Sequence, residues 1–551
     1  MASTTPSRLL ENAMKYADQP ALSTPSGEGW ATETWSEFAT YVMDVARALV
    51  ALGFEPGDKL SIYSYNRREW YGGYLAAQMA GGAGVGIYHP SSAEEVEWVA
   101  GNSESKVLFV GDNPMAAGDK SKMPQHRLMQ VIDGLPAVEH FVLLPGVGGV
   151  EHERMITWDA FMGHGSGVET ATLHERVGAL TEADTSALIY TSGTTGNPKG
   201  AYSDHLGVVS GTMNYICQTA MVLQLLTERG DAPTVQPSAL VAVPLFHVPG
   251  EVPLFLQSFA MGRKLVLMPK WDATNALELL EKEQITYFVG VPLMSYEIAV
   301  HPEREKYDLS QCKTFAGGGA ARPIEHVKKI KDAFKDGFPA LGYGLTETNG
   351  VGAGNLNENY LAKPNSTGMP SLPLVDMAIL DDDGEPLPQG QIGEVSIRSV
   401  CNFLGYWKNE DATKAAFSKD GYFRTGDLGY LDEDNYLFIV DRKKDIIIRG
   451  GENISCIEVE EAIYAHPKVA ECSVFGLPDE RFGEIPAAVY FPHPGQSLSV
   501  DELQEFLREH IAAFKVPSVM WQSEEQLPRL GTQKVDKRTV KATFAKEHLA
   551  A

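Results

Sequence analysis

Tyr190-Thr191-Ser192-Gly193-Thr194-Thr195-Gly196-Asn197-Pro198-Lys199-Gly200 sets three glycines, four aliphatic hydroxyls and one lysine within eleven residues. A loop of that composition can turn several backbone N–H groups and hydroxyls toward one oligophosphate. It follows Ala187-Leu188-Ile189-Tyr190, an apolar run of the length of a buried strand, so it is expected to leave the carboxyl end of a sheet, where α/β folds hold ligands. It is not a Walker loop. Pro198 precedes the lysine and Gly200 follows it, where that motif has Gly and then Ser or Thr.

Outward from this loop, apolar strands and helical stretches alternate. Residues from Leu9 to Leu52 carry a helical pattern, with Trp35, Phe38, Val42, Val45, Ala46 and Leu49 recurring at three- and four-residue steps and Ser36 and Glu37 in the opening turn. Strands are expected at 59–63, 84–87, 107–110, 131–132 and 141–143, with a helix from Trp70 to Met79. After the loop, strands are expected at 240–243, 264–267 and 286–289. This alternation predicts parallel sheets covered on both faces. From about Gly368 the texture changes to short strands among many glycines and prolines, which predicts a small β-barrel subdomain. Asp441-Arg442-Lys443-Lys444-Asp445 is a charged break, and the remainder to Ala551 has the size of one compact α+β domain. The expected division is a large domain over 1–440, a hinge over 441–444 and a mobile C-terminal domain over 445–551.

With 551 residues the chain exceeds what one hydrophobic core can serve. Its 44% hydrophobic and 21% charged residues are those of a globular protein. The net charge of −26, with no long basic run, argues against nucleic acid or an anionic membrane as partner. Five scattered cysteines without a Cys-x-x-Cys pair suggest neither a disulfide framework nor a zinc site. The apolar stretch from Leu240 to Met261 is broken by three prolines and carries His247 and Glu251, so it reads as pieces of core and not as a membrane span. With no signal peptide or targeting tag in view, a cytoplasmic location is expected.

Five further stretches carry chemistry. Phe246-His247 follows a strand, and Gly317-Gly318-Gly319-Ala320 offers backbone against which a flat ligand can lie. Gly342-Tyr343-Gly344-Leu345-Thr346-Glu347 combines a ring that can stack on a purine, a hydroxyl for a phosphate and a carboxylate for Mg²⁺. Thr425-Gly426-Asp427 places a carboxylate after a glycine turn, where it can accept ribose hydroxyls. Pro528-Arg529-Leu530-Gly531-Thr532-Gln533-Lys534 sets a lysine near the end of a polar turn.

In their order, these stretches resemble the signatures of the adenylate-forming superfamily, which holds acyl-CoA synthetases, beetle luciferases and peptide-synthetase adenylation domains. The resemblance runs from Thr191 to Lys534 and favours the fatty-acid–CoA ligase branch. It implies that Thr191, Ser192, Gly193, Thr194, Thr195, Gly196 and Lys199 handle the phosphates of ATP. It implies an adenine shelf at Gly318, Gly319 and Ala320, stacking by Tyr343 beside Gly344, phosphate contact by Thr346 and Mg²⁺ at Glu347. Asp427 would hold the ribose with Arg442 as a second ribose or phosphate contact, and Phe246 and His247 would border the acyl pocket. Lys444 aligns with a pivot and Gly450 and Gly451 with the passage of the pantetheine arm of coenzyme A. Lys534 aligns with the lysine that bridges acyl carboxylate and α-phosphate, although Gln533 stands where the family has glycine. Cys456 replaces a common proline and is read as structural. The implied reaction is ATP-dependent ligation of a carboxylic acid, a fatty acid by the apolar pocket segments, to coenzyme A through an acyl-adenylate. The alternatives are an aryl- or carnitine-type acid ligase, a luciferase-like enzyme and a nucleotide-binding protein without turnover; a peptide-synthetase module would need a carrier domain, for which little chain follows Lys534. A homodimer is compatible with this reading.

Overall fold

The computed structural model describes residues 4–26, 29–113, 118–191, 197–530 and 534–546. Four sheets organise them. The first has eight strands in the order Gly405–Tyr406, Lys199–Asp204, Thr185–Thr191, Ala83–Ile87, Lys59–Tyr63, Val107–Val110, His140–Leu143 and Met155–Thr157. From Thr185–Thr191 onward its pairings are parallel. The second has nine strands, with a parallel centre of Phe338–Tyr343, Thr314–Gly318, Tyr287–Gly290, Ser238–Val241, Lys264–Leu267 and Pro20–Ser26. Its antiparallel edges are Ala353–Leu356 and Met369–Pro370 on one side and Gly29–Thr34 on the other.

The helix Trp35–Ala51 shows how sequence and packing agree. Thr34 caps it by accepting from Glu37 N–H, and the Glu37 carboxylate accepts from Thr34 N–H, a reciprocal capping box. Its three- and four-residue spacing then puts Trp35, Phe38, Val42, Val45, Ala46 and Leu49 on one buried face. Those side chains join one core running from Leu9 to Phe334 that the two large sheets share.

Two expectations need correction. The helical reading of 9–52 is interrupted, since helices Thr5–Lys15 and Trp35–Ala51 are separated by paired strands Pro20–Ser26 and Gly29–Thr34; the alternating, partly polar sequence there pairs with Lys264–Leu267 instead of coiling. Residues 131–132 form the start of a short 3₁₀ turn, Ile132–Gly134, and not a strand.

The third sheet joins Val375–Leu380, Gly393–Ser399, Phe423–Leu431 and Leu437–Arg442 in that order, antiparallel throughout. Among the described residues its outer strands do not pair with each other, so the expected barrel is an open sheet. Leu437 is engaged elsewhere, donating to Gly368 O at 2.8 Å and accepting from Thr367 N at 2.9 Å.

The fourth sheet is built from Ile447–Arg449, Glu452–Ile454, Val469–Asp479, Gly483–Pro492 and Val519–Gln522. Helices Cys456–Tyr464 and Val500–His510 bury Val459, Ile463, Leu503 and Leu507 against it, in a core drawn from residues 447–520. No described helix is long and apolar enough to cross a membrane. The stretch 240–261 forms a strand end, a short helical turn and a buried π-helical turn, Glu251–Leu256.

Gly86, in the strand Ala83–Ile87, is where the first sheet meets the segment carrying His247. A Cβ there would lie 2.6 Å from Phe246 Cβ and 2.7 Å from Phe246 Cα. No rotamer change relieves a clash with a Cα. Gly86→Ala is therefore expected to destabilise by about 1–3 kcal/mol, measured as a lowered urea midpoint; an unchanged midpoint would show that the Phe246 segment can withdraw freely.

Candidate active site

The phosphate-type loop leaves the carboxyl end of Thr185–Thr191, as expected, but returns as the antiparallel strand Lys199–Asp204 and not as a helix. Thr191 lies opposite Lys199 and its hydroxyl donates to Lys199 O at 3.4 Å, closing the base of the loop. Ser192, Gly193, Thr194, Thr195 and Gly196 lie outside the described residues. Beyond the base, Gly405–Tyr406 pairs with Ala201 and Tyr202, which brings the Tyr406 ring beneath Lys199 with Nζ 5.0 Å from its centroid.

Tyr406 also reaches Glu347. Its hydroxyl donates to Glu347 Oε1 at 2.8 Å. Glu347 and Thr346 are buried in a 3₁₀ turn, Thr346–Thr348, just past the strand Phe338–Tyr343. Burial pushes the Glu347 carboxyl above its ordinary range, while the Tyr406 hydrogen bond and the charges of Arg442 and Lys199 oppose the rise. Tyr406 was not legible in the sequence; its only trace is an aromatic after Gly405, and the link depends on a pairing across the fold.

Tyr343 ends the same strand and donates through its hydroxyl to Asp427 Oδ2 at 2.7 Å. Asp427 faces Arg442 across the antiparallel pair Phe423–Leu431 and Leu437–Arg442, with Oδ1 3.2 Å from Arg442 Nε. Asp427 is almost fully buried, and burial raises its pKa against the pull of Arg442 and the Tyr343 hydrogen bond. Gly344 must be glycine, because a Cβ there would fall 2.0 Å from Gly350 O. A Cβ on Gly318 would lie 3.2 Å from Gly342 O, so the adjacent strand ends form a close backbone floor. Gly319 and Ala320, just beyond, are exposed.

Lys534 comes to this floor from the far end of the chain. A Cβ on Gly319, whose φ is +75°, would meet Lys534 Nζ at 3.0 Å. Burial and the nearby Arg442 charge push the Lys534 ammonium down to about 8, with Asp427 opposing. His247 is held down to about 3 by burial and by Lys534, so it is a neutral imidazole. Gln533 lies outside the described residues.

A second group missed in the sequence fixes the His247 segment. Asn66 donates to Val243 O at 2.8 Å and accepts from Leu245 N at 2.9 Å, a side-chain clamp on both sides of Pro244. Phe246 then packs on Tyr88 and His89, with ring centroids 4.8 and 5.8 Å away. Neither Asn66 nor the aromatic collar has a local sequence signature.

Three expected residues make no hydrogen bond or ion pair with these groups among the described residues, although the charges of Asp427 and Arg442 reach Lys444. Lys444 is exposed in a turn closed by Asp445 N donating to Arg442 O at 2.9 Å. Gly450 and Gly451, with φ of +61° and +92°, make the two-residue turn between Ile447–Arg449 and Glu452–Ile454. The Gly450 N–H donates to Phe482 O at 2.7 Å. Cys456 opens the helix Cys456–Tyr464, its thiol donating to Asp445 O at 3.1 Å and pushed up by burial, in keeping with a structural role. Among the described residues no group of three or more His, Cys, Asp or Glu side chains could hold a metal by itself. Glu347 could contribute one hard oxygen ligand, which suits a Mg²⁺ held mainly by substrate phosphates.

The family model described as AMP-binding enzyme matches residues 9–407, and that described as AMP-binding enzyme C-terminal domain matches 458–534. A feruloyl-CoA synthase from Amycolatopsis is 32% identical over 93% of this chain and 94% of its own. A long-chain-fatty-acid–CoA ligase from Bacillus subtilis is 30% identical over 99% of this chain and 95% of its own. The ATP-bound crystal structure of MatB from Rhodopseudomonas palustris, 24% identical, superposes with a TM-score of 0.81 over the whole of both chains. The chain therefore belongs to the AMP-binding enzyme family, in the acyl-CoA synthetase branch of the adenylate-forming superfamily, and is by class an AMP-forming acid–CoA ligase.

Proposed function

We propose that this protein is a cytoplasmic enzyme that activates a hydrophobic monocarboxylic acid, in the first place a fatty acid, with ATP and transfers it to coenzyme A. The observation that carries the reading is the convergence of Lys534, Arg442, Asp427, Tyr343, Glu347 and Lys199 around one glycine floor. In the first half-reaction a carboxylate oxygen attacks the α-phosphorus and pyrophosphate leaves. In the second the coenzyme A thiolate attacks the acyl carbon and AMP leaves.

Carboxylate and triphosphate repel each other, so the first step needs positive charge placed between them. Lys534, over Gly319 and beside the neutral His247, is positioned to bridge acyl carboxylate and α-phosphate. Asp427 and Arg442 would fix the ribose and Tyr343 the adenine. The Ser192–Gly196 loop, with Thr191, Thr346 and Lys199, would hold the outer phosphates. Mg²⁺ at Glu347 would supply further neutralisation of phosphate charge. The second step would follow rotation of residues 445–551 about Lys444, carrying Lys534 away and bringing the Gly450-Gly451 turn toward the path of the pantetheine arm.

The choice of acid rests on what surrounds His247. Gly350 is approached by Val248 Cγ2, Pro253 Cδ and the Tyr215 hydroxyl. The guanidinium of Arg322 lies buried behind Gly317, donating to Ala340 O at 3.2 Å and Ser295 Oγ at 3.1 Å, with its Nε unpaired among the described residues. Its burial behind that backbone, and not a lack of free donors, would keep it from a second carboxylate. An aryl acid is the second reading, favoured by the feruloyl-CoA synthase relative and by the phenol at this wall.

Pyrophosphate release from MgATP with a panel of fatty, aryl and dicarboxylic acids separates these readings. Fatty acids are expected to drive it and thioester to appear only with coenzyme A; release driven by aryl acids alone would transfer the assignment, and release by diacids would overturn it. Lys534→Ala is expected to lower adenylation by about 10²–10³-fold, with thioester formation from supplied acyl-adenylate retained. The Lys534 charge is present below its pKa of about 8 and lost above it. The kcat/KM for adenylation should therefore fall above about pH 8, and Lys534→Arg, whose guanidinium keeps its proton, should remove that limb.

A further inference from the structure

We propose that Glu297 and Arg529 form the latch that seats Lys534, making both of them positioning residues for adenylation. The inference rests on the two-step reading above and adds Glu297, which lies outside every signature stretch, and a role for Arg529, to which the resemblance assigns none. Lys534 sits on a turn whose base is a bridge between Arg529 and Val535, with Leu530 N donating to Lys534 O at 2.8 Å and Asp536 N to Pro528 O at 2.7 Å. Where Arg529 is held, Lys534 is held.

Arg529 is tied to both halves of the molecule through one nitrogen. Its Nη2 donates to Glu471 Oε1 at 2.6 Å, within the C-terminal unit, and lies 3.6 Å from Glu297 Oε1 on the helix Pro292–Ala299 of the large unit. Glu471 is buried at a register shift in the strand Val469–Asp479, and its second oxygen accepts from Leu527 N at 3.0 Å. The second oxygen of Glu297 accepts from the indole N–H of Trp271 at 2.6 Å. Beside this crossing, Tyr296 of the same helix stacks on His326 at 3.7 Å, and the His326 ring meets Tyr464 of the C-terminal unit edge-on at 5.7 Å.

This arrangement suits a contact made to open. Arg529 screens two carboxylates that would otherwise repel across the interface, and Glu471 already pushes the Glu297 pKa upward together with burial. When the units part, Glu471 keeps Arg529 and Leu527, and Glu297 keeps Trp271. No buried charge is stranded, so separation avoids the heavy cost of breaking a buried pair. The 2.6 Å bond belongs to the small unit permanently, and the 3.6 Å contact is the one that engages and releases.

Glu297→Gln tests this, because the amide oxygen still accepts from Trp271 while the charge is gone. The two half-reactions are measured separately, as acid-dependent pyrophosphate release without coenzyme A and as thioester formation from supplied acyl-adenylate. Unit separation is followed by fluorescence distance between dyes on Cys217, an exposed thiol, and on a cysteine placed by Glu505→Cys. Adenylation is expected to fall about fivefold to tenfold with thioester formation unchanged, and the short-distance population to shrink. Equal loss in both half-reactions with a lowered Tm and an unaltered distance distribution would make Glu297 merely structural and overturn the latch, as would no change in any readout. If no acid drives turnover in the parent enzyme, the functional reading falls, while the distance measurement still decides the latch.

Discussion

Holding one ammonium group in a partly desolvated place is the constraint on which the site depends. Lys534 arrives over Gly319 with Arg442 close by, and both burial and that second cation work against its charge. Only Asp427 opposes them among the main influences, and it is shared with Arg442 and Tyr343. The cluster is thus short of negative charge in a chain whose net charge is −26. Its deficit is local, and a carboxylate together with an oligophosphate is the kind of ligand that would relieve it. The same field keeps His247 neutral, so the imidazole offers hydrogen bonding there and adds no third cation.

The parallel sheets explain how such distant residues meet. Gly318 and Tyr343 end adjacent parallel strands paired in register, with Gly318 opposite Gly342, so shelf and stacking ring come side by side. Thr191 ends a strand of the other large sheet, and Tyr406 on that sheet's edge crosses to Glu347. Strand ends therefore supply the floor, while the open third sheet supplies Asp427 and Arg442 as one cross-strand pair. The backbone approaches are close enough that Gly86 and Gly344 have no room for a methyl group.

What was legible in the sequence follows from this. Residues whose chemistry is concentrated in a short stretch, such as Tyr343 with Glu347 or Thr425 with Asp427, could be singled out as candidates, and strands with unbroken apolar runs such as Val107–Val110 were placed to the residue. Asn66 acts on Val243 and Leu245, Tyr406 on Glu347, and Arg529 on Glu297. Each of those partners lies far along the chain, and no periodicity or motif encodes a pairing that only the packed sheets create. The strands of 20–34 were hidden for a related reason: their pairing with Lys264–Leu267 outweighs a local pattern that had been absorbed into the neighbouring helix.

The same reasoning bears on the proposed hinge at 441–444. Asp441 is buried and accepts from Arg442 N at 2.7 Å and from Cys456 N, while Ser455 Oγ donates to Val440 O at 2.8 Å. These bonds staple the start of the helix Cys456–Tyr464 to the last strand of the third sheet, on either side of the exposed Lys444. A proline at position 456, which the resemblance leads one to expect, would have no N–H to give Asp441. The Asp441 half of the staple therefore requires a residue other than proline at 456, while the Ser455–Val440 half does not. Rotation about Lys444 would have to break or carry it along, and Asp441, left buried without the Cys456 N–H, would then need another donor. On the proposed rotation, the orientation that seats Lys534 would accordingly be held from two sides, at Arg529 by a contact that opens without stranding a charge and at Asp441 by one that does not.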